Sequence, residues 1–240
     1  MSVTVAPIPA EQETRPPEPV SFEAFLEWVD EDTHAEWVDG QIIMTSPASD
    51  THQMIRDFLV KVMGAYVETQ HLGWLRGGFL MKTGVRPSGR EPDILFVAEE
   101  RRSIVTPTYL DGPADLVVEI VSPDSAARDR GEKFIEYEAA GIPEYWLLDP
   151  LRQEALFYQR GADGRYHPGP LDNAGAYHAL CLPGFWLKPD WLWQEPLPDV
   201  TWTIAQIGGI AHARAMLAAL RDVLGHAALR ELLGEGEAEQ

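Results

Sequence analysis

Apolar residues between positions 50 and 71 recur every three or four residues, which predicts a long amphipathic helix. Ser21 is a residue type that caps helices, and the apolar spacing after it predicts a shorter helix ending near Glu31. A third helix is predicted over residues 122–140, with a serine-rich turn at its start and Gly141 at its end.

Strand-like runs lie between these helices. Residues 36–38 and 41–44 flank Asp39-Gly40, a dipeptide typical of tight hairpin turns, and Ser46-Pro47 ends the hairpin. Further strands are predicted over residues 73–85, broken by Gly77-Gly78, and over 93–97, 115–121, 144–149 and 155–158, with a turn at 161–164 leading into Tyr166.

The run from Leu116 to Val121 is apolar on both faces except for Glu119, so it is predicted to be a central strand covered on each side. The pattern as a whole predicts an α/β fold, in which a mixed central β-sheet is flanked by helices and followed by antiparallel additions. Residues 204–233 are rich in Ala and Leu, with glycines at 208, 209 and 225, which indicates a helical C-terminal extension.

Three segments are therefore expected. Residues 1–20 contain prolines and glutamates without apolar periodicity and are predicted to be a flexible N-terminal tail. Residues 21–195 form the main domain, and residues 196–240 form the helical extension.

The composition is that of a globular protein, with 240 residues of which 45% are hydrophobic and 24% charged. The single cysteine, Cys181, excludes an intrachain disulfide and a cysteine-based zinc site, and it fits a reducing compartment. No apolar stretch approaches the ~20 residues of a membrane span, and the first residues lack the features of a signal peptide. A cytoplasmic location is expected.

The charge argues against tight duplex binding. The chain has 19 Lys and Arg against 38 Asp and Glu, a formal net charge of -19, which is the wrong sign for neutralising phosphates. Residues 51–150 hold 11 of the 19 Lys and Arg residues, so a site for a polyanion is expected there. No glycine-rich nucleotide-binding loop is found.

Glu119 is the residue that most requires a partner, because an ionised carboxylate inside an apolar strand costs several kcal/mol unless it is compensated. Asp93 is a second carboxylate at the start of another strand, and Lys133 lies on the helix that follows Glu119. Two strand carboxylates and a helix lysine are what a metal-dependent phosphodiester hydrolase requires, since oxygen ligands suit Mg²⁺ or Mn²⁺.

Several motifs extend this pattern. They are Pro92-Asp93, Glu119-Ile120-Val121-Ser122-Pro123, Arg128-Asp129-Arg130-Gly131-Glu132-Lys133, Tyr137 and Gly141-Ile142-Pro143-Glu144-Tyr145-Trp146-Leu147-Leu148-Asp149-Pro150. Taken together they resemble the Uma-two family, endonuclease-like proteins of the PD-(D/E)XK or restriction-endonuclease-like superfamily. The resemblance covers about residues 21–187 and includes residues 36–47 and His52.

The resemblance implies that Asp93 and Glu119 are ligands of Mg²⁺ or Mn²⁺. The lysine position of the (D/E)XK motif holds Val121, and Lys133 on the next helix matches the lysine that has moved in this family. The implied activity is a metal-dependent endonuclease that hydrolyses phosphodiester bonds through a metal-activated water. The implied partner is weakly bound nucleic acid, with DNA as the expected class.

Three further residues are candidates for supporting roles. Glu36 faces the predicted hairpin turn and adds a carboxylate to the same cleft, and His52 lies early in the long helix. Asp129 is spaced i,i+4 from Lys133.

Each candidate also has a structural interpretation. Asp93 could cap a strand end, Glu119 could belong to a buried structural ion pair, and Asp129 and Lys133 could be an exposed pair worth a few tenths of a kcal/mol. His52 could be a capping or core histidine, and Tyr137 is interpreted as a packing residue.

Two alternative functions remain open. One is a non-catalytic binding or regulatory protein that keeps the nuclease fold, which the net charge of -19 favours. The other is an interaction protein that acts through its C-terminal extension, with a homodimer as its platform.

Overall fold

The structure is a computed structural model, and it describes residues 15–30, 33–45 and 48–233. The predicted hairpin end at Ser46-Pro47 and residues 1–14 of the predicted tail lie outside the described residues. The rest of that segment contacts the domain, since Val20 is buried and its N–H donates a hydrogen bond to the carbonyl of Gly40.

Four α-helices are described: α1 (Phe22–Trp28), α2 (Asp50–Gln70), α3 (Phe134–Ala140) and α4 (Val200–Leu232). Helix α1 ends before the predicted position near Glu31, because Val29 has an extended backbone. A π-helical turn (Arg128–Lys133) leads directly into α3. Within α4 the backbone is non-helical at Gly209 and Gly225, two of the predicted interruptions.

The strands are β1 (Ala35–Val38), β2 (Gln41–Met44), β3 (Gly73–Gly77), β4 (Met81–Lys82), β5 (Ser88–Arg90), β6 (Ile94–Ala98), β7 (Leu116–Ile120), β8 (Glu144–Asp149), β9 (Glu154–Arg160), β10 (Tyr166–Pro168), β11 (Tyr177–His178) and β12 (Trp186–Leu187). Two 3₁₀ helices span Glu99–Ile104 and Pro189–Trp193.

Six of these strands form the central sheet, in the order β10-β9-β8-β7-β6-β3. Strands β7 and β8 are parallel and the other neighbours are antiparallel, so the sheet is mixed. Every residue of β7 is buried, as expected for a central strand. The predicted fold class, a mixed central sheet with flanking helices, is confirmed.

The two faces of the sheet are covered by different helices. One face packs against α2 and the start of α4, and its core includes Phe58, Leu59, Val118, Trp146, Ile204 and Ile207. The opposite face packs against α3, and its core includes Leu95, Val117, Tyr137, Tyr145 and Leu147. Because side chains alternate along a strand, Glu119 shares the α3 face with Val117.

A smaller antiparallel sheet, in the order β2-β1-β5-β4, lies beside the central one. Phe22 of α1 packs on it, and a Cβ on Gly89 would lie 2.8 Å from the Phe22 ring. Strand β5 has no apolar pattern and was not predicted. It forms because β1 pairs with it, Trp37 opposite Gly89, and this pairing places Glu36 and Arg90 in neighbouring strands.

Helix α2 and the start of α4 pack on the central sheet, whereas most of α4 after Ile207 is exposed. Among the described residues, no helix is both long and apolar enough to cross a membrane.

We predict that Gly73→Ala destabilises the protein strongly. Gly73 has φ +151°, and a Cβ there would lie 2.1 Å from the carbonyl oxygen of Val97 on the paired strand. The expected loss is about 3 kcal/mol in the free energy of unfolding, from backbone strain and overpacking combined.

Gly64→Ala is the matched control. Gly64 lies within α2 and a Cβ there meets nothing within 4 Å, so this change should stabilise the protein by about 0.5–1 kcal/mol. Urea denaturation of both variants checks the pair, and a loss below about 0.5 kcal/mol for Gly73→Ala would contradict the described β3–β6 edge.

Candidate active site

Asp93 and Glu119 meet where two neighbouring strands in the middle of the central sheet, β6 and β7, begin and end. Asp93 directly precedes β6, Glu119 lies in β7, and the two strands are antiparallel neighbours with Ile94 opposite Val118. The Oδ2 atom of Asp93 accepts a hydrogen bond from the Ile120 N–H at 2.6 Å. Both carboxylates line one cavity of about 260 Å³. The pairing of β6 with β7 therefore brings the two predicted metal ligands together.

Lys133 reaches the same cavity from the π-helical turn. Its Nζ atom lies 3.0 Å from Oε1 of Glu119, 2.9 Å from Oε1 of Glu36 and 3.4 Å from Oδ1 of Asp129. The alternative of an exposed Asp129–Lys133 pair is wrong, because both residues are buried. The π-helical turn directs both side chains towards the sheet, and such turns are frequent at functional sites.

Tyr137 is more than the packing residue that its sequence position indicated. Its hydroxyl donates a hydrogen bond to Oε1 of Glu119 at 2.7 Å, and its side chain is fully buried. Tyr137 lies four residues after Lys133, so the two side chains project from one helix face. This i,i+4 spacing was the sequence signal that could have identified Tyr137 as a site residue. Both side chains donate hydrogen bonds to the same oxygen of Glu119.

The site carries more negative than positive charge. Burial raises the pKa of Glu119 well above its usual range, and the charges of Asp129 and Asp93 raise it further, while Lys133 opposes the shift. Burial also raises the pKa of Asp129. Burial alone would lower the pKa of Lys133, but its neighbouring carboxylates, Glu119 first, hold that pKa well above the ordinary value. Lys133 is therefore charged at neutral pH.

Arg90 is the second buried cation of this region. It is fully buried and donates hydrogen bonds to Oε2 of Glu36 at 2.9 Å and to Oε2 of Glu136 at 2.7 Å. Glu36 thus bridges Arg90 and Lys133. Burial would raise the pKa of Glu36, but the two cations lower it. Sequence reasoning missed Arg90 because nothing in the Ser88–Arg90 segment indicated a buried strand.

His52 lies beside Asp93. Its Nε2 atom is 3.1 Å from Oδ1 of Asp93, and its Nδ1 atom is buried without a hydrogen-bond partner. The backbone N–H of Ile120 holds the other carboxylate oxygen of Asp93. These two contacts fix the orientation of the Asp93 carboxylate.

The cavity offers two carboxylate ligands for a hard divalent cation, but not a complete set of protein ligands. Asp93 and Glu119 offer oxygen atoms beside an excess of negative charge, which is the chemistry that Mg²⁺ and Mn²⁺ prefer. Within the described ranges, no group of three or more His, Cys, Asp or Glu residues is placed to hold one ion. A cation would thus take two carboxylates from the protein and complete its shell with water and phosphate, as Mg²⁺ commonly does.

We predict that Glu119→Gln leaves the metal-free protein as stable as the parent or more stable, because the variant has no charge to bury at this position. The raised pKa of Glu119 means that its ionised form destabilises the fold at neutral pH. This cost falls as the pH drops through the raised pKa, so the difference between variant and parent should shrink in acid. Thermal melts in EDTA between about pH 8 and pH 5 test it, and unfolding of the variant would identify a structural ion pair.

Replacing Arg90 should have the opposite effect. Arg90→Gln removes the buried cation that contacts both Glu36 and Glu136, which is expected to cost about 3–5 kcal/mol at pH 7. Arg90 lowers the pKa of both carboxyls, so its contribution is present above the unfolded glutamate pKa of about 4.3 and is lost as the pH falls below it.

The control for this prediction is Arg152→Gln, which removes a guanidinium that is 67% exposed and should change stability by less than about 0.5 kcal/mol. Denaturant melts at pH 7 and near pH 3.5 check both variants. Equal stability of Arg90→Gln and the parent at pH 7 would contradict the described network.

Two comparisons with known proteins bear on the fold and the family of the chain. A solved structure titled "a putative nuclease belonging to DUF820", from Anabaena variabilis ATCC 29413, superimposes with a TM-score of 0.60 at 19% sequence identity. It covers 73% of this chain and 98% of its own, and at this identity the likeness concerns the fold. Among curated proteins none matches the chain.

A family model, Uma2, described as "Putative restriction endonuclease", matches residues 22–190. This match spans most of the chain and contains all six predicted site residues, Glu36, His52, Asp93, Glu119, Asp129 and Lys133. The chain belongs to the Uma2 family of restriction-endonuclease-like proteins.

Proposed function

We propose that this protein is a divalent-metal-dependent nuclease that hydrolyses phosphodiester bonds. The observation that carries the proposal is the cavity in which Asp93 and Glu119 lie together with the buried ammonium of Lys133, 3.0 Å from Glu119. The family description supports the same activity. The substrate class is nucleic acid, and DNA is the expected form.

Asp93 and Glu119 would hold Mg²⁺ or Mn²⁺. When bound, such a cation lowers the pKa of a water molecule and offsets charge on the phosphate. The protein prepares both ligands, since Ile120 and His52 orient Asp93 while Lys133 and Tyr137 hold Oε1 of Glu119. The Lys133 ammonium would stabilise negative charge that develops on the phosphate.

Glu36 and Asp129 would act through Lys133. Each lies within 3.4 Å of its ammonium, and together with Glu119 they hold that ammonium inside the cavity wall. Glu36 is itself fixed by Arg90. These residues are positioning residues, because they touch Lys133 and one another.

A non-catalytic binding or regulatory protein is the second candidate function. The net charge of -19 favours it, since an acidic protein binds nucleic acid weakly.

A cytoplasmic location and a homodimer stay predictions. Helix α4 exposes apolar residues, among them Ile210 and Val223. Substitutions at these residues would test the predicted homodimer.

The proposal predicts Mn²⁺-dependent cleavage that Glu119→Gln and Lys133→Gln each reduce by about 10² to 10⁴, the size of losing one charge-stabilising or proton-transfer group. Glutamine is chosen at position 133 because alanine would leave a void as well as three uncompensated carboxylates. Single-stranded DNA, duplex DNA and RNA should be assayed in parallel.

Arg152→Gln, which does not change a residue of the cavity lining, serves as the control and should cleave at the parent rate. Circular dichroism confirms that each variant is folded before activity is compared. If the parent binds neither Mn²⁺ nor Mg²⁺ in calorimetric titrations, the carboxylates are structural and the second candidate function stands.

A further inference from the structure

Two arginines line the cavity that contains the carboxylates. Arg56 comes from α2, one turn after His52, and Arg128 comes from the first position of the π-helical turn. Both belong to residues 51–150, which hold 11 of the 19 Lys and Arg residues, but neither was singled out by the sequence pattern. They approach the cavity from two separate elements.

Arg128 lacks the partners that other arginines near it have. None of the ion pairs formed between described residues includes Arg128, and its Nε atom is buried without a hydrogen-bond partner. Arg130, two residues later, also has a buried Nε atom without a hydrogen-bond partner, but its Nη2 atom contacts Asp149 and Glu154 at 2.8 Å each, so the missing ion pairs are what distinguish Arg128. A buried N–H group without a partner costs free energy, and a ligand that accepted a hydrogen bond from it would recover that cost.

Arg56 is weakly engaged. Its described ion pair is with the adjacent Asp57 at 3.5 Å, and both side chains are partly exposed. A contact of this kind contributes little and is readily exchanged for a stronger one. The planar guanidinium group donates paired hydrogen bonds that match phosphate oxygens.

We propose that Arg128 and Arg56 bind two backbone phosphates of one nucleic-acid strand and so position it over Asp93 and Glu119. The inference rests on the proposed function for its substrate class and adds the residues that bind the strand. Among the described residues that line the cavity, Arg56 and Arg128 are the only Lys or Arg residues besides Lys133, so few phosphates are neutralised. A single strand, held at about two phosphates, is the substrate form that fits.

This proposal predicts a shallow salt dependence. Each neutralised phosphate of a single strand contributes a slope of about -0.7 to log K against log salt, so two phosphates correspond to about -1.4. The test uses a fluorescein-labelled single-stranded DNA of about 12 nucleotides, the full chain and EDTA, over about 25–200 mM salt. Fluorescence anisotropy reports binding without turnover.

All binding measurements use Glu119→Gln as the background, which removes one negative charge from the cavity. In that background, Arg128→Gln should weaken binding about tenfold and reduce the slope by about 0.7. Arg128→Lys, which keeps the charge, should retain most of the affinity. Arg130→Gln removes the same charge from the same helix and should bind as the background does, with Arg152→Gln as a second control for the net charge.

Several results would overturn the proposal. They are the absence of binding at about 25 mM salt, equal affinity with and without Arg128→Gln, an equal loss in Arg130→Gln and Arg152→Gln, and tighter binding of the matching duplex with a steeper slope.

The two proposals fail separately. If Arg128→Gln weakens binding but the parent shows no Mn²⁺-dependent cleavage, the phosphate contact stands and the nuclease function fails. If the parent cleaves and Arg128→Gln neither binds nor cleaves differently, the nuclease function stands and the phosphate contact fails.

Discussion

The buried ammonium of Lys133 is the interaction on which the architecture of the site depends. It contacts Glu36 from the small sheet, Glu119 from the central sheet and Asp129 from its own helix. A buried charge is expensive unless it is paired, so each of these elements must be in place for the others to be stable. One cation therefore joins both sheets and the α3 region.

Arg90 extends this arrangement to the far side of Glu36. It neutralises Glu36 and Glu136, and Thr83 and Ser88 also donate hydrogen bonds to Glu136. The carboxylates near Arg90 have lowered pKa values, whereas Glu119 and Asp129 have raised ones. Burial is the main cause of the raised values, and neighbouring carboxylates add to it, whereas the cations Arg90 and Lys133 outweigh burial at Glu36. Groups with shifted pKa values concentrate at functional sites.

The overall charge and the local charge of the protein have different consequences. A net charge of -19 disfavours long-range attraction of a polyanion, so the proposed recognition of nucleic acid rests on short-range contacts in the cavity. Arg56 and Arg128 are placed for such contacts, and the family match ends before α4 begins. The chemistry therefore belongs to the part of the chain shared with the family.

The sequence by itself determined the elements whose signals are local. Helix α2 follows from its apolar period and β7 from a continuous apolar run. The candidate carboxylates follow from the position of Asp93 at the start of a strand and of Glu119 inside an apolar one. Tertiary structure decided what depends on residues far apart in the chain. Strand β5 exists because β1 pairs with it, Arg90 is buried because β5 exists, and Lys133 faces inward because a π-helical turn packs against the sheet. Local periodicity encodes which face of an element is apolar, but pairing between distant segments decides which charges meet.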